Sequence, residues 1–223
     1  MSYIFFDAET TGFPPDGKIT CLVTEYKDRT KVWASRGRDN TYVPMEEACV
    51  EEVVTFMERE GDGGQRVVSY NGSSFDFQML WNQTRNAEIK ARICGLAKNH
   101  IDLHLVCIRA RGHRMKMDGL AKASLGLVKI GTGKEAILLW ESKQYKKLFE
   151  YCTHDVLILR DLFNLAKNEK SLQFESSKGN LFTVDVGDML EATASELSKQ
   201  KPHKESWMKD NSDLMQVFSW LPE

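Results

Sequence analysis

No run of about 18 apolar residues occurs in this 223-residue chain, which excludes a membrane-spanning helix. The first residues also lack the basic-then-apolar pattern of a secretory leader. Cysteine is sparse: Cys21, Cys49, Cys94, Cys107 and Cys152 are odd in number, widely spaced and form no C-x-x-C. A disulfide framework is therefore not expected, and buried thiols in a reducing compartment are. A dominant charge is missing too. The formal net charge of -2 argues against wholesale electrostatic coating of nucleic acid, while leaving room for local patches. What remains, 42% hydrophobic and 28% charged residues, suits a folded globular chain and excludes disorder or a fibrous fold. The expectation is a soluble, intracellular protein with no membrane contact.

The chain is organised around its first dozen residues. Tyr3, Ile4, Phe5 and Phe6 form an aromatic and β-branched run that reads as a buried strand, ending on Asp7 and Glu9. Spacing of two residues in a strand puts both carboxylates on one face. Two acids leaving a buried strand together repel each other and lose hydration unless a cation holds them. An all-oxygen ligand set suits the hard cations Mg²⁺ and Mn²⁺. Taken alone, D-x-E is equally a strand end with two solvated acids. Thr10, Thr11 and Gly12 then turn the chain, their small side chains leaving backbone N–H groups open to a ligand.

In order, Lys18 to Tyr26 and Thr30 to Ser35 read as two further strands, giving three antiparallel strands in succession. Val50, Val53, Val54 and Met57 recur at helical spacing between Pro44 and Glu60, and the glycines from Gly61 to Gly64 stop that helix. Arg66 to Tyr70 is a second buried-type strand. It runs into a sharp turn at Asn71 and Gly72 and a helix capped by Ser73 or Ser74. Asp76 falls in that helix's first turn, where the helix dipole favours a carboxylate. The same position lies beyond the carboxyl end of a strand, where open α/β sheets place ligands, so Asp76 also stands to face Asp7 and Glu9.

The segment from Thr84 to Lys122 carries nine basic against three acidic residues. Phosphate contacts and ordinary solvated helix faces both account for it. Within it, His100 to Val106 reads as a short strand and Met117 to Leu127 as a helix closed by Gly126. Cys94, His100, His104, Cys107 and His113 match no zinc-site spacing. The run from Gly131 to Glu135 is not a P-loop, because the first glycine is missing and Glu135 stands where a hydroxyl should be.

Gln144 to Asn168 is the last long helix, with Tyr151 and Asp155 one turn apart on an apolar stripe. Beyond it, Leu172 to Glu175 and Leu181 to Val186 form a hairpin added at the domain's edge, and Asp188 to Leu197 forms a helix. The apolar tail from Trp207 to Leu221 packs back on the domain or on a protein partner.

Together D-A-E-T-T-G, N-G-S-S-F-D and Y-C-T-H-D, in this order and at these distances, resemble the three motifs of the DEDD exonuclease superfamily, which has the ribonuclease H-like fold. The Y-x-x-x-D form of the third resembles the DEDDy branch. The resemblance implies an α/β fold with a central mixed five-stranded sheet, three antiparallel strands then two parallel, flanked by helices over residues 1–168. A C-terminal extension follows over 169–223. It implies a two-metal 3′-to-5′ exonuclease acting on DNA or RNA 3′ ends with Mg²⁺ or Mn²⁺. Asp7 would bridge both ions, Glu9 and Asp155 would complete the water site, and Asp76 would hold the second ion. Tyr151 would orient the attacking water. Thr10, Thr11, Gly12 and Asn71 would receive the terminal nucleotide, and Phe13, Phe75 or Phe77 would stack on its base. An endonuclease of the same fold and a non-catalytic nucleic-acid-binding module are the alternatives.

Overall fold

The opening aromatic run forms β1 (Ser2–Thr10), the middle strand of a five-stranded sheet. In this computed structural model the described residues are 2–58, 65–127, 131–176, 178–206 and 208–222. β1 pairs antiparallel with β2 (Ile19–Tyr26), which pairs antiparallel with β3 (Arg29–Trp33). Ser35–Arg36 (β4) and Tyr42–Val43 (β5) form a separate short ribbon before α1 (Glu47–Glu58). On its other side β1 runs parallel to β6 (Gln65–Ser69), and helices α2 (Asp76–Gln83) and α3 (Ala87–Asn99) follow. The outermost strand, β7 (Ile101–Asp102), is parallel to β6. The expected three antiparallel and two parallel strands are therefore present, in the order β3-β2-β1-β6-β7.

Four further helices follow: α4 (Leu103–Arg111), α5 (Met117–Leu125), α6 (Gly133–Glu141) and α7 (Tyr145–Glu169). Both sheet faces are covered, which is why β2 is buried at nearly every position rather than alternating. Phe6, Ala8, Leu22 and Val67 pack with α1, α2 and α3. Phe5, Cys21, Val23 and Val68 pack with α4, α5 and α7, and the Phe5 ring lies 5.5 Å from Phe163 of α7. Asp7 and Glu9 share the parity of Phe5, so they emerge on the α7 side.

Several local expectations are corrected. The segment from His100 to Val106 is strand for two residues only, because the Asp102 carboxylate accepts the amides of His104 and Leu105 and starts α4 at once. Neither Ser73 nor Ser74 caps α2; Phe75 holds the cap position without a side-chain bond. The glycines from 61 to 64 lie outside the described residues. α3 and α6 were not expected. α3 is announced by Asn86, whose side chain accepts from the amides of Glu88 and Ile89, and α6 by a reciprocal Thr132–Glu135 capping box. Asp188 to Leu197 is not one helix but a 3₁₀ turn (Met189–Glu191) followed by α8 (Ala194–Ser198), divided where Thr193 caps α8.

The carboxy-terminal hairpin, β8 (Ser171–Glu175) and β9 (Leu181–Asp185), forms its own two-stranded sheet rather than extending the main one. Leu172, Val184, Leu197 and Met215 bury into the same core as α7. The tail folds back on the chain, where Trp220 Nε1 donates to the Ser73 carbonyl at 2.7 Å. Among the described residues no helix is long and apolar enough to cross a membrane.

Candidate active site

Three elements far apart in sequence converge on one cavity of about 390 Å³. β1 contributes Asp7 and Glu9, the first residue of α2 contributes Asp76, and adjacent turns of α7 contribute Tyr151 and Asp155; all five line it. Glu9, Asp76 and Asp155 are each less than 10% exposed. Carboxylates so placed are retained against the cost of burial only with compensating positive charge or proton uptake. Asp76 shows the second response. Burial first, then the charge of Asp102, pushes its carboxyl up to about 7, against the pull of the Asp76 and Ala8 amides. Its Oδ1 is buried without a hydrogen-bond partner among the described residues.

Asp7, Glu9 and Cys152 present ligand atoms within 4.8 Å of one another. The thiol is not a natural member of a hard-cation set. Burial pushes its pKa well above the ordinary value, and its Sγ donates to the Asp7 carbonyl at 3.5 Å. A divalent cation therefore fits the donors on chemical grounds: an all-oxygen carboxylate set with an orphaned buried oxygen on Asp76.

Gly131, at φ +136°, packs closely beside the Tyr151 ring. A Cβ there would lie 3.3 Å from the ring and 2.8 Å from the Glu135 carboxylate. Asn71 also lines the cavity, in the left-handed region at φ +70°, with Oδ1 3.1 Å from His104 Nδ1. Phe75 lines it as well, and its ring lies 6.0 Å from Phe13, whose own ring is 82% exposed. Phe77 is fully buried against Phe6 and His100, so of the three candidate rings it is the one that belongs to the core. Thr10 and Thr11 spend their hydroxyls on the turn: Thr10 Oγ1 donates to the Gly12 carbonyl at 2.8 Å, and Thr11 Oγ1 accepts from the Lys18 amide at 3.0 Å. Gly12 leaves open space, with nothing within 4 Å of an added Cβ.

Sequence reasoning missed the far wall, formed by Tyr70, His104, Lys116 and Asp118. It also missed Asp102, which sits behind the wall. The one available signal for Asp102 was an acid directly preceding an apolar helical run. His104 is buried and its pKa is lowered, chiefly by burial, so its ring is held neutral.

The RNase H superfamily model matches residues 4–167. The chain belongs to that superfamily, and its five-stranded sheet with helices on both faces is the ribonuclease H-like fold. No curated protein matches the sequence. Among solved structures the chain is similar to a product-bound exonuclease I, with TM-score 0.49 and 13% identity over 75% of this chain and 43% of that one. It is also similar to apo exonuclease I, with TM-score 0.49 and 15% identity over 75% of this chain and 42% of the other. The chain thus spans less than half the length of those proteins.

Proposed function

We propose that this chain is a divalent-metal-dependent 3′-to-5′ exonuclease of the DEDDy kind, removing nucleoside 5′-monophosphates from single-stranded or frayed DNA or RNA ends. The observation that carries the reading is the convergence of Asp7, Glu9, Asp76 and Asp155 on one cavity wall with Tyr151 one helical turn from Asp155. The four carboxylates would hold two ions, Mg²⁺ or Mn²⁺. When bound, such ions neutralise charge on the scissile phosphate and favour attack by water at neutral pH.

The chain's own groups do the rest. The Tyr151 hydroxyl, with Glu9, orients a water oxygen toward phosphorus. That oxygen bonds to phosphorus as the bond to the departing 3′ oxygen breaks; the attacking water gives up a proton to solvent, and the 3′ oxygen takes one up from solvent. Tyr151 serves by hydrogen bonding, because a phenol with a pKa near about 10 is a poor base at neutral pH. Phe75 and exposed Phe13 receive the terminal base. Asn71 borders the terminal nucleotide from the turn before α2, its side chain hydrogen-bonded to that of His104.

The test is release of labelled mononucleotide from a 3′-labelled strand with Mn²⁺ by the parent and by Asp7→Ala. Release by the parent and none by the variant is the expected result; equal release by both overturns the reading. A circular strand must stay intact, since its cleavage would indicate an endonuclease instead.

A further inference from the structure

We propose that the carboxy-terminal hairpin and tail guide a single nucleic acid strand to the catalytic cavity through a continuous basic groove. The ligand class rests on the nuclease reading above; the groove itself rests on separate observations. Lys116 and Asp118, on the wall of the catalytic cavity, also line a second cavity of about 550 Å³ floored by Phe174 and Phe182 of the hairpin. That cavity shares His113, Ser176 and Phe182 with a third of about 600 Å³, bordered by Lys178 and Lys209. The three cavities thus adjoin through shared wall residues, in succession from the carboxylates along the hairpin to the tail.

Charge along this path is opposite to that of the whole chain. Glu175 on its edge is already neutralised by Lys122 at 2.7 Å. Apart from that pair, Arg111, Arg114, Lys116, Lys178 and Lys209 face Asp118 and Asp210, in a chain whose net charge is -2. Arg114, Lys116, Lys178 and Lys209 are exposed, as phosphate-contacting side chains must be. The aromatic component is what selects a single strand. Phe174 is itself buried, so the planar groups on offer are the half-buried Phe182 ring, with the Arg111 guanidinium over it at 5.6 Å, and the half-buried His113 ring, 6.3 Å from Phe174. Unpaired bases stack on such faces, and paired bases do not offer theirs. The superfamily match ends at residue 167. The hairpin and tail walls therefore lie beyond the matched segment, which accounts for how this chain lengthens a short catalytic pocket.

The test measures binding by fluorescence anisotropy in Ca²⁺, using labelled strands of about 20 and about four nucleotides. Parent protein is compared with the triple variant Arg114→Gln, Lys178→Gln, Lys209→Gln, all at exposed positions outside the catalytic wall. The groove predicts at least a tenfold loss of affinity for the long strand and none for the short one. It also predicts a salt dependence shallower by about 2, from about 0.7 per phosphate contact on single strands. Turnover of a small chromogenic phosphodiester should be unchanged. Unaltered long-strand binding and salt slope in the triple variant would overturn the groove, even with nuclease activity intact. A duplex bound as tightly as the single strand, through the same three residues, would overturn it too. Groove-dependent binding by a parent that hydrolyses neither strand nor diester would uphold the groove and remove the nuclease reading.

Discussion

The Asp102 Oδ2 accepts the Ser73 amide at 3.0 Å, across 29 residues of sequence. Its Oδ1 accepts the Asn71 amide at 2.8 Å and those of His104 and Leu105 at 3.0 and 3.3 Å. One buried carboxylate thus starts α4 and fixes the turn that delivers Asp76 to the cavity. Charge-assisted bonds of this kind contribute more than neutral ones, and loss of a cap alone costs about 1 kcal/mol. Asp102→Ala should lower unfolding free energy by about 3 kcal/mol in denaturant titration. It should also reduce turnover although Asp102 does not line the cavity, and Asp102→Asn should lose less on both counts.

Tyr151→Phe removes a hydroxyl and keeps the ring that Gly131 accommodates. If the phenol orients water, turnover should fall roughly 10- to 100-fold with KM little changed and Tm within a degree or two of the parent. A raised KM with unchanged turnover would instead place Tyr151 in substrate binding.

Phe13 is exposed and leans its edge toward Phe75, 6.0 Å away at 73°. Stacking on a base is worth about 1 to 3 kcal/mol. Phe13→Ala should therefore raise KM for an oligonucleotide about 5- to 150-fold without measurable loss of stability, since the ring is exposed rather than part of the core.

The pH dependence of metal-free stability is set in part by Asp76. Its folded carboxyl titrates at about 7, above an ordinary value of about 3.9. The folded state thus holds a proton that the unfolded chain releases, and the stability contributed by the neutral carboxyl is lost as pH rises between those values. In EDTA, Asp76→Asn should melt several degrees above the parent at pH 8, with the gap closing toward pH 4. Divalent cation should reverse the order at pH 8 by stabilising the parent alone.

The sheet and the four acids were legible because each is written locally. The apolar run before Asp7 and Glu9 fixes a strand and its parity, and the stripe through Leu148, Cys152 and Leu159 fixes which face of α7 carries Tyr151 and Asp155. Asp102 and His104 were not legible, because their partners lie in the Asn71–Ser73 turn and a tertiary bond leaves no periodic trace. α6 was obscured for a different reason: its glycines invite a comparison with phosphate-binding loops, whereas Thr132 and Glu135 serve as a helix start. The groove is assembled from the 111–122 segment, the hairpin and the tail, none of which announces it alone.

Carboxylates from both ends of the matched segment are proposed to hold divalent ions jointly. Isothermal titration of the metal-free protein with Mn²⁺ tests this most directly, comparing the parent with Asp7→Asn and Asp155→Asn. Two ions should bind per parent chain and at least one should be lost in each variant, although the two residues stand 148 positions apart in the sequence. Undiminished Mn²⁺ binding by Asp155→Asn would contradict joint binding.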